Sequence, residues 1–349
     1  MDKRTRFHRT IERQEVDRPA CWLGLPVPAA EPALFQHFGV GDARALRAAI
    51  DDDVVPIEVP YHDGKANHIA VAFDFALDRV NDAQERTLTA RGWFSEHPED
   101  DAVERFAWPD PARHLDPAAC RAAVAAAEPD RAALGVLWSC HFQDACAAFG
   151  MEEALMVMKT EPERFKAVID RITRFYLDAN RIFLEATRGR LDAVLIGNDF
   201  GSQTGLMLRR AEIESFVLPG TRALIAQAHS HGVKVLHHSC GAVCDLIDPL
   251  TACGADAIHP IQARATGMDA ARLRERFGGS VSFCGGVDAQ FLLVNGTPDE
   301  VASEVGRLRE LFPTGLVISP SHEAILPDIA PANIAALFQA TASGNLAFR

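Results

Sequence analysis

The sequence predicts an α/β fold, a (β/α)8 TIM barrel, because eight short β-like runs alternate with longer helical patterns along its 349 residues. Strand–helix alternation indicates a parallel sheet, and eight strands over this length fit a closed barrel better than a doubly wound sheet. No GxGxxG follows a strand and no GxxxxGK(S/T) occurs, so the common nucleotide-binding forms of a doubly wound sheet find no support. We expect a single domain over residues 1–349.

The eight predicted strands are short and largely apolar, and polar residues stand at or just after the ends of the later ones. They cover residues 20–27, 54–59, 134–140, 193–199, 233–240, 255–262, 281–287 and 316–320. The predicted helices cover residues 152–187, with a break near Glu161-Pro162, and residues 211–229, 270–277, 298–311 and 331–342. Pro298 and Pro331 each stand at the first position of a helix, where the missing N–H of proline is not needed.

One segment departs from the alternation. Residues 68–75 and 86–94 have the pattern of two strands, with Asn81-Asp82 between them as a turn signal. We therefore expect a β-hairpin inserted at about residues 66–96, after the second barrel strand, that flanks or supports the barrel entrance. The Pro- and Asp-rich residues 96–117 predict a surface connection.

Composition and charge exclude several classes of protein. The chain carries 35 Lys and Arg against 48 Asp and Glu, a net charge of −13, which disfavours a nucleic-acid or anionic-membrane surface. It has no run of 18 or more uncharged apolar residues, so we expect no transmembrane helix. Residues 1–19 lack the apolar core of a secretory signal, so we expect a cytoplasmic protein. Eight cysteines are too few for a disulfide scaffold and are expected to be reduced, buried or metal-binding.

Polar side chains cluster at the carboxyl ends of the later strands, where barrel enzymes carry their active-site groups. Those ends hold Asp199, His238, Cys240, His259, Gln262, Cys284, Asp288 and His322. A packed core thiol is the favoured role of Cys284, and Asp288 can cap the helix that follows. Together, these positions predict several ligands or acid–base groups on one rim.

His238 and Cys240 form the sharpest local signal. They lie two residues apart on a strand, so both side chains can point into the barrel mouth while His237 points away. Imidazole and thiolate are both zinc ligands, and His322 at another strand end supplies a third. Three protein ligands plus an open position are typical of catalytic zinc, whereas a structural site has four. For the pair alone, a buried Cys beside a hydrogen-bonded His is the structural alternative.

Asp199 and His259 are the candidate catalytic residues. Asp199 can contact the substrate, ligate the metal, support a ligand or only cap the loop after the fourth strand. His259 precedes a proline at a strand end, where substrate contact and structural hydrogen bonding are both open.

Seven stretches of sequence, spread over nearly the whole chain, form a recognisable series. They are residues 6–19 (RFHRTIERQEVDRP), 149–163 (FGMEEALMVMKTEPE), 196–205 (IGNDFGSQTG), 228–241 (AHSHGVKVLHHSCG), 285–288 (GGVD), 319–322 (SPSH) and 331–334 (PANI). Their order and spacing resemble the uroporphyrinogen decarboxylase-like superfamily, and within it the cobalamin-dependent (corrinoid) methyltransferase branch. The resemblance implies a (β/α)8 barrel, as the strand pattern does independently.

The resemblance also implies a zinc ion held by His238 and Cys240, with His322 at the position where coenzyme-M-type members have a Cys. It implies methyl transfer between a small-molecule methyl donor and a corrinoid protein, which must supply the cobalamin because no DxHxxG motif occurs in this chain. A His2Cys site has one thiolate fewer, so we expect a more Lewis-acidic zinc that suits O-demethylation. Asp199 and His259 would then orient the substrate or supply a proton to the leaving oxygen.

Two other functions stay open. A decarboxylase or lyase of a small carboxylic acid could use the same barrel mouth, and a non-catalytic corrinoid-binding or sensor subunit could keep the fold without the chemistry. True uroporphyrinogen decarboxylases carry an arginine-rich stretch after the first strand, and residues 21–28 (CWLGLPVP) here contain no arginine. A homodimer is compatible with the sequence.

Overall fold

A computed structural model of the protein describes residues 1–62, 72–75 and 90–342. In this part of the chain, seven parallel strands form one sheet in which each strand pairs with the next along the chain. They are β2 (Val54–Glu58), β3 (Ala132–Trp138), β4 (Ala193–Gly197), β5 (Lys234–His238), β6 (Ala257–Ile261), β7 (Phe283–Val287) and β8 (Leu316–Pro320). Two short strands, β1 (Leu25–Pro26) and β9 (Ala324–Ile325), form a separate parallel pair.

Residues 20–22 close the sheet into a barrel between β8 and β2. The N–H of Trp22 donates to the carbonyl of Ile318 (3.1 Å), and the N–H of Ile318 donates to the carbonyl of Ala20 (2.8 Å). On the other side, the N–H of Asp53 donates to the carbonyl of Cys21 (3.2 Å). The α/β barrel predicted from the sequence is therefore confirmed.

The predicted first strand, residues 20–27, is interrupted at Gly24. The φ angle of Gly24 is +95°, and a Cβ there would come within 2.3 Å of the carbonyl oxygen of Glu323. A residue with a side chain could not make this approach, so the chain turns here and pairs with β9 instead of continuing along β8. This change of partner holds the residues that follow β8 against β1.

Fifteen α-helices lie in the described part of the chain. They are α1 (Lys3–Ile11), α2 (Glu31–Phe38), α3 (Ala43–Ala49), α4 (Ala102–Arg105), α5 (Pro117–Ala126), α6 (His141–Phe149), α7 (Met151–Thr160), α8 (Pro162–Ala186), α9 (Arg210–Glu212), α10 (Leu218–Ser230), α11 (Ile247–Ala252), α12 (Ala270–Phe277), α13 (Leu292–Asn295), α14 (Pro298–Leu311) and α15 (Pro331–Ala342). Short 3-10 helices cover Trp93–Ser95, Pro111–Arg113 and Cys244–Leu246, and a π-helix covers Ile213–Val217.

Local sequence signals account for several helix ends. The predicted break near Glu161-Pro162 is confirmed, because α7 ends at Thr160 and Pro162, which has no N–H to donate, begins α8. α12, α14 and α15 have the predicted bounds. At the start of α14, the Thr297 side chain and the Glu300 side chain each accept a hydrogen bond from the backbone of the other residue, forming a capping box.

The barrel interior is a packed apolar core rather than a channel. Its buried members come from α1 and from alternate positions of the strands: Phe7, Ile11, Ala20, Trp22, Val54, Ala132, Leu134, Val136, Ala193, Leu195, Leu236, Ala257, Cys284 and Val317. Cys284 is fully buried here, which agrees with its expected role as a core thiol. A second, larger core lies between the sheet and the surrounding helices.

A buried ion-pair cluster joins α1 to the amino end of β2. Asp53, fully buried, accepts hydrogen bonds from Nη1 of Arg6 and from Nη1 of Arg18, each at 2.6 Å, and from the N–H of Cys21 at 2.9 Å. This cluster serves stability, because it lies at the amino end of the barrel and the reacting groups of such folds sit at the opposite face.

The predicted hairpin falls largely on residues 63–71 and 76–89, which lie outside the described residues, so its fold stays a prediction. At its described end, Trp93–Ser95 forms a 3-10 helix rather than a strand. Among the helices described, none has the length and apolar character needed to cross a bilayer.

Candidate metal centre

Strand β5 delivers His238 and Cys240 to the carboxyl end of the barrel. His238 is the last residue of β5, and its Nε2 lies 3.4 Å from Sγ of Cys240. The ring of His237 faces the other way and stacks beside Phe200, with ring centres 6.2 Å apart. The two candidate ligands therefore share one side of the strand, as the alternation of side chains requires.

Asp199 reaches the same point from the end of β4. Its Oδ1 accepts a hydrogen bond from the N–H of Cys240 (2.9 Å) and lies 3.2 Å from Nε2 of His238. The register pairs Gly197 of β4 with His238, and a Cβ on Gly197 would lie 2.0 Å from the carbonyl oxygen of His238. Glycine at position 197 thus permits the close approach of the two strand ends that brings Asp199 to His238.

His259 lies behind His238 on β6, where the register pairs the two residues. Their Nδ1 atoms are 3.0 Å apart, and the ring of His259 lies 5.4 Å from that of Trp22. His259 is fully buried, and its Nε2 makes no hydrogen bond within the described chain. The residue can support the His238 ring, but this position does not bring it to the open mouth.

His322 and Glu323 follow β8. Nδ1 of His322 accepts a hydrogen bond from the N–H of Ala324 (3.0 Å), and its side chain is 42% exposed. Oε2 of Glu323 lies 3.4 Å from Nδ1 of His238 and 3.6 Å from Nδ1 of His322. Glu323 is buried, and its Oε2 has no hydrogen-bond partner among the described residues.

The ligand atoms fall into three overlapping groups in the described part of the chain, each with its atoms within 4.8 Å of one another. The groups are Asp199 with His238 and Cys240, His238 with His259 and Glu323, and Cys240 with His322 and Glu323. No single group contains all three predicted ligands. Cys240 shares one group with His238 and another with His322. Sequence reasoning missed Glu323, for which the only signal was an acidic residue next to His322.

The surroundings of Asp199 and Cys240 lower the pKa of both side chains. Burial alone would raise the pKa of the Asp199 carboxyl, but the hydrogen bonds and charge of His238 and the N–H of Cys240 lower it to about 2. Burial would likewise raise the pKa of the Cys240 thiol, but its contacts with His238 and His322 lower it. A carboxylate and a thiol with a lowered pKa therefore meet at this point, and carboxylate, thiolate and imidazole are all ligands of divalent zinc.

The two buried imidazoles respond in opposite directions. Burial lowers the pKa of His238, but Asp199, Cys240 and Glu323 outweigh it and raise that pKa well above 6.5. Burial, with the charges of His238 and His322, lowers the pKa of His259 well below 6.5. His259 therefore stays neutral. His238 favours the imidazolium form when no metal is bound, and a metal would take the place of one of its two protons.

The remaining strand-end candidates have structural roles. Oε1 of Gln262 accepts a hydrogen bond from the N–H of Gly241 (2.6 Å) and so supports the loop that carries Cys240. The Asp288 side chain accepts hydrogen bonds from the N–H groups of Gln290 (2.9 Å) and Leu292 (3.2 Å), which makes it a cap of the turn into α13.

The closed parallel barrel carries its polar donor groups at the carboxyl ends of the strands, which is the arrangement of an α/β-barrel enzyme. The chain belongs to the uroporphyrinogen decarboxylase family, since the family model described as Uroporphyrinogen decarboxylase (URO-D) matches residues 94–343. The solved structure of a methyltransferase from Methanosarcina mazei has the same fold, with a TM-score of 0.70, 17% identity and 98% of each chain covered. A comparison with curated proteins gives no match. The superfamily resemblance found in the motifs is therefore confirmed.

Proposed function

We propose that the protein is a zinc-dependent methyltransferase that moves a methyl group from a small O-methyl substrate to a partner corrinoid protein. The observation that carries the proposal is the convergence of His238, Cys240 and Asp199 at the open rim of the barrel. The fold that this chain shares with a methyltransferase supports the proposal of methyl transfer.

The residues at the rim fit a zinc ion. They offer imidazole nitrogen, thiolate sulfur and carboxylate oxygen, the three donor types that zinc takes in proteins. Within the described chain, Oε2 of Glu323 and Nε2 of His259 are buried without hydrogen-bond partners. Buried polar atoms are normally satisfied, so the unpaired Oε2 of Glu323, next to the donor groups, is compatible with a cation bound there.

Each residue has a distinct task in this account. His238 and Cys240 would hold the ion, which would supply Lewis acidity toward an ether or alcohol oxygen. Asp199, with 44% of its side chain exposed, borders the space where that oxygen would enter. His259 supports the ring of His238 from the barrel interior. His322, with 42% of its side chain exposed, is the third ligand that the sequence predicts.

A decarboxylase of a small carboxylic acid is the second candidate, because the family model that matches the chain is named for that reaction. The absence of arginine from residues 21–28 disfavours a substrate with many carboxylates. A non-catalytic corrinoid-binding or sensor role is the third candidate.

One experiment separates the three. The zinc-loaded protein is incubated with methanol or methoxylated aromatics and a reduced corrinoid protein, and methylation of the corrinoid is followed by absorbance. The proposal predicts corrinoid methylation that His238→Ala abolishes. His231→Ala, which removes an imidazole from the far end of α10, is the matched control and should retain activity. Carbon dioxide release from a carboxylic acid without corrinoid would favour the decarboxylase, and neither reaction would favour a non-catalytic subunit.

A further inference from the structure

The two nitrogens of His238 face different sets of neighbours. Nε2 lies 3.2 Å from Oδ1 of Asp199 and 3.4 Å from Sγ of Cys240. Nδ1 lies 3.0 Å from Nδ1 of His259 and 3.4 Å from Oε2 of Glu323. Because a neutral imidazole has one lone pair for a metal and one N–H, these contacts decide which side of the ring can ligate.

Nε2 is the nitrogen that shares its surroundings with the thiol. A metal bound between Cys240 and His238 therefore uses Nε2 and leaves a proton on Nδ1. That proton has a hydrogen-bond acceptor in Nδ1 of His259, at 3.0 Å, and the Glu323 carboxylate lies beside it at 3.4 Å. A ligating histidine whose other N–H is hydrogen-bonded is held in the correct tautomer and orientation.

The spacing around Nε2 matches that of atoms bound to a single ion. Tetrahedral zinc with ordinary bond lengths separates a nitrogen and an oxygen ligand by about 3.3 Å, and a nitrogen and a sulfur ligand by about 3.6 Å. The corresponding distances from Nε2 of His238 are 3.2 Å to Asp199 and 3.4 Å to Cys240. The N–H of Cys240 also holds the Asp199 carboxylate in place, at 2.9 Å from Oδ1.

His322 is arranged differently. Its Nδ1 already accepts the N–H of Ala324 at 3.0 Å, so the proton of the neutral ring lies on Nε2. A protonated nitrogen cannot ligate a metal, and ligation through Nε2 would turn an Nδ1 proton toward the N–H of Ala324. One ring nitrogen of His322 lies within 4.8 Å of Sγ of Cys240, so the imidazole stands beside the thiol.

We propose that the metal is held by Asp199, by Nε2 of His238 and by Cys240, and that His322, beside the Cys240 sulfur, is a positioning residue rather than a ligand. His259 is a second positioning residue, because its Nδ1 lies 3.0 Å from Nδ1 of His238 and accepts the proton there. This assignment rests on the metal centre of the proposed function and changes its third ligand from His322 to Asp199.

The assignment also bears on the substrate. Two anionic ligands balance the charge of a divalent ion, so the open position suits an uncharged oxygen, such as that of methanol or a methyl ether, better than an anion. Asp199, with its side chain 44% exposed, lies at the side from which such a molecule enters.

The direct test is a crystal structure of the wild-type protein soaked with Zn²⁺ alone, with anomalous scattering recorded at the zinc edge. The assignment predicts a peak at bonding distance, about 2.0–2.2 Å, from an Asp199 oxygen and from Nε2 of His238. It predicts every ring nitrogen of His322 to lie beyond bonding distance. A peak bonded to His322, with or without Asp199, would overturn it, and so would the absence of zinc from the site.

Metal affinity of variants provides a second measurement. Competition with a chromogenic chelator should show at least a hundredfold weaker zinc binding in Asp199→Asn and less than a tenfold change in His322→Gln. The reverse order, or equal losses, would overturn the assignment. If the ligands are as assigned but no methyl transfer occurs, the proposed function fails while this inference stands.

Discussion

The backbone of Gly241 packs directly against that of Gly201. A Cβ on Gly241 would lie 2.4 Å from both the carbonyl carbon and the oxygen of Gly201, and Gly241 has a φ of +86°. Gly241 follows Cys240, and Gly201 lies two residues after Asp199. This contact therefore holds the loop after β4 against the loop after β5 and sets the distance between Asp199 and Cys240.

Gly241→Ala should weaken zinc binding by about tenfold or more although it changes no ligand, since an outer-shell defect commonly has this effect on metal affinity. The added methyl group must push the two loops apart. Gly232→Ala is the matched control, because Gly232 also has a positive φ, +74°, but open space around it. The control should lose about 1–2 kcal/mol of stability through backbone strain and keep its zinc affinity. Equal zinc affinities in both variants would contradict the role given to the glycine contact.

Zinc affinity should rise with pH through and beyond neutrality. The contacts of His238 with Asp199, Cys240 and Glu323 raise its pKa well above 6.5 despite burial, so the metal-free site holds a proton there at neutral pH. Zinc must displace that proton, and each proton released makes apparent affinity about tenfold stronger per pH unit until the pKa is passed. Chelator competition between pH 6 and 9 measures this slope. A flat profile from about pH 6.5 upward would show that His238 does not lose a proton on binding.

Asp53→Asn should destabilise the fold without affecting the rim. It removes the charge that Arg6 and Arg18 share at 2.6 Å in a buried setting, and breaking such a pair costs about 3–5 kcal/mol. Asp248→Asn is the exposed control, with 64% of its side chain accessible and a 3.8 Å contact to Arg276, and should cost less than about 1 kcal/mol. Denaturant unfolding gives both values. A loss of zinc affinity in folded Asp53→Asn would contradict the separation of the two barrel faces.

The barrel could be predicted from the sequence because its signals are local. The break before Pro162 and the ends of α12, α14 and α15 follow from proline, capping residues and apolar spacing. The first strand could not be predicted correctly. Residues 20–27 look like one apolar run, and the interruption at Gly24 depends on a contact with Glu323, which is remote in sequence. The strand β9 follows from the same contact and was missed for the same reason.

The candidate site could be predicted only in part. His238 and Cys240 share a face because of strand alternation, which the spacing reveals. The position of Glu323 depends on how the chain turns after β8. The tautomer of His322 depends on the N–H of Ala324, a backbone contact without a sequence signature. Which of several nearby side chains ligates a metal is therefore a question of three-dimensional geometry.

Metal analysis of the purified protein is the sharpest test of whether β5 brings a metal-binding pair to the rim. Zinc is quantified by elemental analysis in wild-type protein prepared without chelator, beside folded His238→Ala and Cys240→Ala variants. The account predicts about one zinc ion per wild-type chain and little or none in either variant. Wild-type protein that takes up no zinc, or variants that retain as much as the wild type, would contradict it.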